Sequence, residues 1–308
     1  MINYMQLEVH MKALENTVLP EYHGSMLRGA IGGSIKRMSC ISKDTECIRC
    51  VKSHDCPYTK IFYGINKDMN SILKKVDTTP NPFVIEPLMN GTTYIKKDDI
   101  FKFRISIFGI ANSYISYFLN AIFELENRGL TKDRNKFEVE KIINTGNNLL
   151  VSEKKLLYAE NIKPAIYNFE FSDEEINKLS IFFETPVRVK KDGKFIQNLD
   201  FETFITNVLR RISLILEYYS DVKMNINYKE LIQEAKKICI DEINTRWVKQ
   251  ERYSTRRGGR LSTGGMIGKI TYVGDLDEYY PYIKFGQLLH IGKGCVMGLG
   301  KYEVVVNN

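Results

Sequence analysis

The sequence lacks any apolar run of the roughly 18–20 residues that a membrane-spanning helix needs. Its longest apolar stretch, Ile107 to Leu125, is interrupted by Asn112, Ser113 and Asn120. The first fifteen residues also lack a basic segment followed by an apolar core, so we expect no signal peptide. These absences predict a cytoplasmic protein with no membrane partner.

Residue types that carry much of enzyme chemistry are scarce: the 308 residues include six cysteines, four histidines and one tryptophan. A cytoplasmic protein keeps its cysteines as thiols, so we expect no disulfide framework. The hydrophobic share of 44% and the charged share of 26% are those of an ordinary folded protein, which excludes disorder. The net charge of +7 is compatible with an anionic partner but identifies none.

The order of predicted elements suggests the fold. Residues 4–158 give the order β-α-β-β-α-β, and a similar order recurs after residue 178, with helical sequence predicted at Tyr228–Ile243. We therefore predict an α+β protein of two tandem ferredoxin-like (RRM-like) domains, with a link near residues 161–173. The N-terminal domain is expected over residues 1–170, with a Cys-rich insertion at about 40–60, and the C-terminal domain over 171–308, with a glycine-rich loop.

Four cysteines fall within seventeen residues, at Cys40, Cys47, Cys50 and Cys56. Four thiolates can complete a tetrahedral zinc site, and the C-x2-C pair has the spacing of a zinc knuckle. With no open coordination position, such a zinc would be structural. Alternatives are an iron–sulfur cluster, four free thiols, or His54 in place of one cysteine.

A glycine-rich segment, Gly286 to Gly300, contains five glycines in fifteen residues. Glycine backbone can approach a phosphate chain closely and present its N–H groups to it. The segment lacks the Lys-Ser/Thr ending of a Walker loop and leads into a strand, which disfavours mononucleotide binding of that type. Lys293 in its middle favours an anionic ligand.

A basic segment, Arg246 to Arg260, holds six basic residues and one acidic residue. Its arginines could contact phosphates while Trp247 and Tyr253 stack on bases. A solvated basic loop is the simpler interpretation of such a run. The Ser- and Gly-rich context favours RNA or another polyanion.

Together these segments resemble the CRISPR-associated endoribonucleases of the RAMP superfamily, which cut precursor CRISPR RNA within its repeats. The resemblance is carried by these segments: Gly24–Gly32 with the cysteines and Cys56-Pro-Tyr58, Thr185–Lys190, Phe201–Arg211, Arg252–Arg257, Gly264–Gly268, Tyr272–Leu276 and Leu289–Gly300. It implies two ferredoxin-like domains, repeat RNA as the partner, and cleavage without metal that retains the RNA product. It also implies RNA contacts at these residues: Arg28, Arg252, Arg256, Arg257, Arg260, Gly292, Gly294, Gly298 and Gly300.

The reaction of that family is attack by a 2′-OH on the adjacent phosphate, which needs a base, an acid and a cation. Histidine suits proton transfer because its unperturbed pKa is about 6.5. The family places a histidine on or just after the first helix, but Ile35 to Lys43 contains none. We therefore take His290 and His23 as the candidate acid and base, and Lys293 as the cation. The alternative is a non-catalytic RNA-binding RAMP subunit of a CRISPR effector complex.

Overall fold

A computed structural model of the chain describes residues 1–42, 45–63, 79–88, 91, 93–171, 175–191, 193–224, 226–254 and 258–307. These residues form two compact units. The first comprises Ile2–Ile166 with Tyr218–Ser220, and the second comprises Met1, Tyr167–Glu217 and Asp221–Asn308. No helix among the described residues is long and apolar enough to cross a membrane.

The first unit begins with a strand whose alternate side chains, such as Leu7, Val9 and Met11, are fully buried. That period of two places one apolar face against the core. In chain order the strands and helices of the unit are β1 (Ile2–Ala13), β2 (Thr17–Val18), α1 (His23–Ser39), β3 (Phe83–Pro87), β4 (Tyr94–Ile95), β5 (Ile100–Phe108), α2 (Ile115–Arg128), β6 (Phe137–Asn144), β7 (Leu149–Glu153), β8 (Leu156–Leu157) and β9 (Ala165–Tyr167).

The main sheet of this unit has the strand order β3-β5-β1-β6-β7-β8, and β9 also pairs with β1. The neighbours β3/β5, β5/β1 and β1/β6 are all antiparallel. The helices α1 and α2 pack against each other. Since the chain order is β1-α1-β3-β5-α2-β6, this is the ferredoxin-like arrangement. The Cys-rich segment is inserted between α1 and β3.

The second unit repeats that arrangement. Its elements in chain order are β10 (Lys178–Val187), β11 (Lys190–Lys191), β12 (Lys194–Phe195), α3 (Phe201–Tyr219, the last two residues of which belong to the first unit), α4 (Tyr228–Ala235), β13 (Cys239–Val248), β14 (Glu251–Ser254), β15 (Gly259–Ser262), β16 (Gly265–Val273), α5 (Tyr280–Leu289) and β17 (Tyr302–Val306). The sheet order β13-β16-β10-β17, antiparallel throughout, again matches the ferredoxin-like pattern. The predicted fold class is confirmed.

Aromatic side chains fill the core of the second unit. The rings of Phe204 and Tyr272 stack with centroids 5.9 Å apart, and Phe201 meets Tyr272 edge to face at 5.1 Å. The Tyr272 hydroxyl donates to the Leu199 carbonyl over 2.7 Å, and burial raises its pKa well above the usual value. This hydrogen bond satisfies a polar group that would otherwise be costly to bury.

One prediction of secondary structure is wrong. The helical sequence expected over Tyr228–Ile243 ends as a helix at Ala235, and Cys239 begins the strand β13. β13 lies at the edge of its sheet and most of its residues are exposed on both faces. It therefore has little of the apolar alternation by which a half-buried strand is recognised.

Candidate nucleic-acid interface

The loop between α5 and β17 is shaped by glycines in left-handed backbone conformations. The φ angles are 77° at Gly292, 91° at Gly294, 82° at Gly298 and 74° at Gly300. A Cβ at Gly300 would lie 1.8 Å from the Ile291 carbonyl oxygen, and one at Gly292 would lie 2.7 Å from the Arg188 carbonyl oxygen. Only glycine fits these two positions without a shift of the backbone. Four glycines predicted to contact RNA thus also determine the path of the loop.

The glycine loop is held against the end of β10. The Lys293 N–H donates to the Arg188 carbonyl over 3.1 Å, and the Gly300 N–H donates to the Pro186 carbonyl over 3.1 Å. The Thr185 hydroxyl donates to the Gly298 carbonyl over 2.8 Å. Since backbone groups here are paired by partners about 110 residues away in sequence, the loop has a defined conformation.

His290 ends α5 and opens the loop. Its imidazole is 1% exposed, and its Nδ1 donates to the Leu299 carbonyl over 3.2 Å. Its backbone has φ 59° and ψ 169°, a region that is occupied almost only by glycine. A non-glycine residue in this region stores strain of about 1–3 kcal/mol. Through this hydrogen bond the ring connects the start of the loop, at residue 290, to its end, at Leu299. The backbone that carries the ring is strained.

Lys293 is exposed and lies beside an aromatic ring that several cations share. Three positive groups approach the Phe195 centroid: the Arg188 Cζ at 4.5 Å, the Lys190 Nζ at 5.1 Å and the Lys293 Nζ at 5.9 Å. The Trp247 ring lies 6.4 Å from Phe195. We call Arg188, Lys190, Phe195 and Lys293 the Phe195 cluster. It consists of two exposed lysines beside a half-buried arginine and a half-buried aromatic ring, directly next to the glycine loop.

Arg188 links the cluster to its surroundings. Its Nη1 donates to the Ser262 carbonyl, and its Cγ lies 2.9 Å from the position that a Cβ at Gly265 would take. Burial lowers the pKa of its guanidinium. Its Nε is buried and has no hydrogen-bond partner among the described residues. Arg188 is thus positioned by the end of β15, by β16 and by the glycine loop at once.

The described residues of the basic segment lie mostly in strands. Arg246 lies on β13 opposite Ile267, and the hairpin β14–β15 places Arg252 opposite Leu261. Arg260 is largely exposed, and its Nη1 lies 3.8 Å from a Glu251 carboxylate oxygen. Arg256 and Arg257, which we predicted to contact RNA, lie outside the described residues.

The other candidate residues belong to the first unit. His23 is the first residue of α1, and its 1% exposed ring meets Phe101 edge to face at 5.4 Å. Arg28, one turn further, places its guanidinium 5.6 Å from the Phe62 centroid. A Cβ at Gly32 would lie 2.8 Å from the Phe62 ring, so glycine allows this close approach to α1.

The four clustered cysteines line a single small cavity at the end of α1, together with Lys36, Tyr58 and Thr59. Burial raises the pKa of the Cys47 thiol, and the other three thiols raise it further, while Lys36 lowers it. The Cys50 N–H donates to the Cys47 carbonyl over 3.3 Å, which forms a tight turn between the C-x2-C pair. The donor set suits zinc, but in the described part of the chain no three such ligands are close enough to hold an ion.

Within the second unit the structure brings together His290, Lys293 and the four glycines. Sequence reasoning missed Arg188, Lys190 and Phe195 as members of the same surface. The available signal was the run Lys190 to Phe195, with three lysines, a Gly193 turn and one aromatic residue. Nothing in the sequence indicates that this run meets residue 293.

Two family models match the chain. One, described as an N-terminal domain, matches residues 2–164, and the other, described as CRISPR-associated endoribonuclease Cas6, matches residues 181–302. No curated protein is significantly similar to the chain in sequence.

Solved structures share the fold. A partial Cas6-RT-Cas1–Cas2 complex contains a chain that is 14% identical with a TM-score of 0.63; the similarity covers 100% of this protein and 46% of that chain. A Cas6 product complex is 13% identical (TM-score 0.59, 98% and 100% covered), and Thermus thermophilus Cas6 is 11% identical (TM-score 0.57, 99% of each). The protein thus spans about half the length of the Cas6-RT-Cas1 chain and the full length of the other two. At these identities the likeness concerns the fold.

The strained backbone at His290 predicts an unusual order of stability. His290→Gly and His290→Ala both remove the ring, but only glycine relieves the strain of about 1–3 kcal/mol. That gain exceeds the extra unfolded-state entropy of glycine, about 0.4–1 kcal/mol. Urea denaturation should therefore show His290→Gly to be the more stable of the two. Equal stability, or a more stable alanine variant, would show that the backbone at residue 290 is relaxed.

Proposed function

Because the chain belongs to the Cas6 family of CRISPR-associated endoribonucleases, we propose that it binds precursor CRISPR RNA and cuts it within its repeats, releasing guide RNA. The observation that carries the proposal is the family match over residues 181–302, the part of the chain that contains the glycine loop and the Phe195 cluster. A loop of positive-φ glycines beside exposed cations can accommodate a polyanion at close range.

The proposed reaction is an internal transesterification. The 2′-OH gives its proton to a base and its oxygen bonds to the adjacent phosphorus, while the bond from phosphorus to the 5′ oxygen breaks. An acid protonates that 5′ oxygen. The products are a 2′,3′-cyclic phosphate and a 5′-OH, so atoms balance without a metal or an incoming water.

In this proposal Lys293 stabilises the charge that develops on the non-bridging phosphate oxygens, a task that suits an exposed cation. His290 and His23 are the candidates for proton transfer. Arg28, Arg252, Arg256, Arg257 and Arg260 contribute phosphate contacts. Each contact of this kind adds affinity that falls as salt rises.

A second candidate function is non-catalytic RNA binding within a CRISPR effector complex. The observation that favours it is the burial of both candidate imidazoles, each of which is 1% exposed. An imidazole must come within hydrogen-bond distance of the 2′-OH or the leaving oxygen to transfer a proton. The two functions share the same RNA-binding surface and differ in whether the RNA is cut.

We also propose that Cys40, Cys47, Cys50 and Cys56 bind a structural zinc. Support comes from the donor set and from the shared cavity at the junction of α1 and the segment that packs Phe62 on Gly32. The four thiols would have to move closer together to bind one ion. Zinc thiolate bonds would fasten that segment to the end of α1, and would thereby stabilise the surroundings of Arg28.

Repeat RNA with one 2′-deoxy nucleotide at the cut position separates the two functions. In EDTA, the unmodified RNA should be cut and the deoxy RNA should bind equally well but stay intact, because it has no nucleophile. Product analysis should find a cyclic phosphate. Binding of both RNAs with cleavage of neither would assign the protein to the non-catalytic function.

Substitution by asparagine tests the histidines. In His290→Asn the new amide could still donate a hydrogen bond to the Leu299 carbonyl, but it cannot exchange a proton. His290→Asn should lower the single-turnover cleavage rate at least tenfold, about 1.4 kcal/mol of barrier, with unchanged RNA affinity. His23→Asn, measured in the same assay, tests whether His23 is the other of the two proton-transfer groups. If neither variant slows cleavage tenfold, histidine is not the acid or base.

The zinc proposal is tested without RNA. Native mass spectrometry of protein purified without chelator should find one ion per chain, and a Cys47→Ser, Cys50→Ser double variant should lose it and melt at a lower temperature. Cys239→Ser, which removes an exposed thiol of the second unit, is the matched control and should keep the ion. An ion-free wild-type protein, or a double variant that retains the ion, would overturn the proposal.

A further inference from the structure

The hairpin β11–β12 is an exposed feature of the second unit. Lys190 pairs with Phe195 and Lys191 pairs with Lys194. Lys191 is neutralised by Asp200 at 3.0 Å, whereas Lys190 and Lys293 form no ion pair with any described residue. The hairpin therefore presents charge that the described part of the protein does not compensate.

Three cations around one ring repel one another. The negative face of Phe195 offsets part of that repulsion, since a cation within about 6 Å of a ring centroid is attracted to it. Ring attraction alone is weak at exposed sites, about 0.5–1 kcal/mol. The arrangement leaves a concentrated positive field that an anion between the cations would stabilise.

The position of the cluster is fixed by the same bonds that hold the glycine loop. The Lys293 N–H donates to the Arg188 carbonyl, and Gly292 packs directly on the Arg188 backbone. Arg188 also holds a buried Nε donor that has no partner among the described residues. An anion here would thus meet cations whose positions the fold already determines.

We propose that the Phe195 cluster binds one backbone phosphate of single-stranded RNA, next to the nucleotides that the glycine loop accommodates. Lys190 supplies the charge and Arg188 the guanidinium donors for this phosphate, while Lys293, beside the same Phe195 ring, contacts the neighbouring phosphate that is cut. This subsite rests on the proposed function of RNA binding, and adds to it a named contact from the β11–β12 hairpin. We take single-stranded RNA rather than a duplex as the ligand, because the flexible backbone of a single strand can place one phosphate at an isolated contact beside the glycine loop.

Trp247 provides the readout, since it is the single tryptophan of the chain and lies 6.4 Å from Phe195. Its fluorescence is titrated with the uncleavable 2′-deoxy repeat RNA at several salt concentrations, using the full chain. Each phosphate contact to a single strand contributes about 0.7 to the slope of log affinity against log salt. Lys190→Ala should lower that slope by about 0.7 and weaken binding at low salt.

Lys194→Ala is the matched control, because it removes the same charge from the same hairpin and its ammonium is not among the three cations described at the Phe195 ring. Lys194→Ala should change the slope of log affinity against log salt, and the Trp247 signal, much less than Lys190→Ala does. Phe195→Leu keeps all three cations and should weaken RNA binding, with little further loss when combined with Lys190→Ala.

The outcomes separate the subsite from the function. If the wild-type protein binds and cuts repeat RNA while Lys190→Ala and Lys194→Ala behave alike, the subsite is wrong and the proposed function stands. If the wild-type protein does not bind repeat RNA, both fail. A specific loss of slope in Lys190→Ala, with normal folding by circular dichroism, supports the subsite.

Discussion

The closure of the glycine loop onto the end of β10 is the constraint on which the candidate interface depends. Gly300 can lie over the Ile291 carbonyl, and Gly292 over the Arg188 carbonyl, only because neither has a Cβ. These approaches allow the hydrogen bonds that hold Lys293 beside Arg188. Without the positive φ angles the loop would have to widen, and the cations would separate from Phe195. The glycines serve the interface through geometry as well as through access for a ligand.

Much of the fold could be predicted because its main elements have strong local signals. Alternation along β1 and β5, and the apolar faces of α2 and α3, follow from one buried face per element. The order of those elements then leaves few topologies other than two ferredoxin-like units. The strand β13 could not be predicted because its exposed edge position removes the alternation by which a strand is recognised.

The candidate interface was only partly predictable, for a different reason. Gly292, Gly294 and Lys293 are adjacent in sequence, so composition alone marked them as a phosphate-binding loop. Arg188 and Phe195 join them through contacts across about a hundred residues, which no local pattern records. The clustered cysteines are a third case. Their spacing predicted a zinc site, and they do line one cavity, but four thiols near one another need not adopt the geometry of a metal site.

His290 combines two properties that point in opposite directions. Its burial argues against contact with RNA. A histidine with a purely structural role, however, would not require a backbone that is strained by about 1–3 kcal/mol. On the endoribonuclease proposal, the ring must exchange its bond to the Leu299 carbonyl for one to the substrate. A single internal hydrogen bond contributes a net of about 0.5–1.5 kcal/mol, which two or three phosphate contacts beside Lys293 would offset. Release of strain at residue 290 would contribute in the same direction, so RNA binding at the loop can supply the free energy that brings the imidazole to the phosphate.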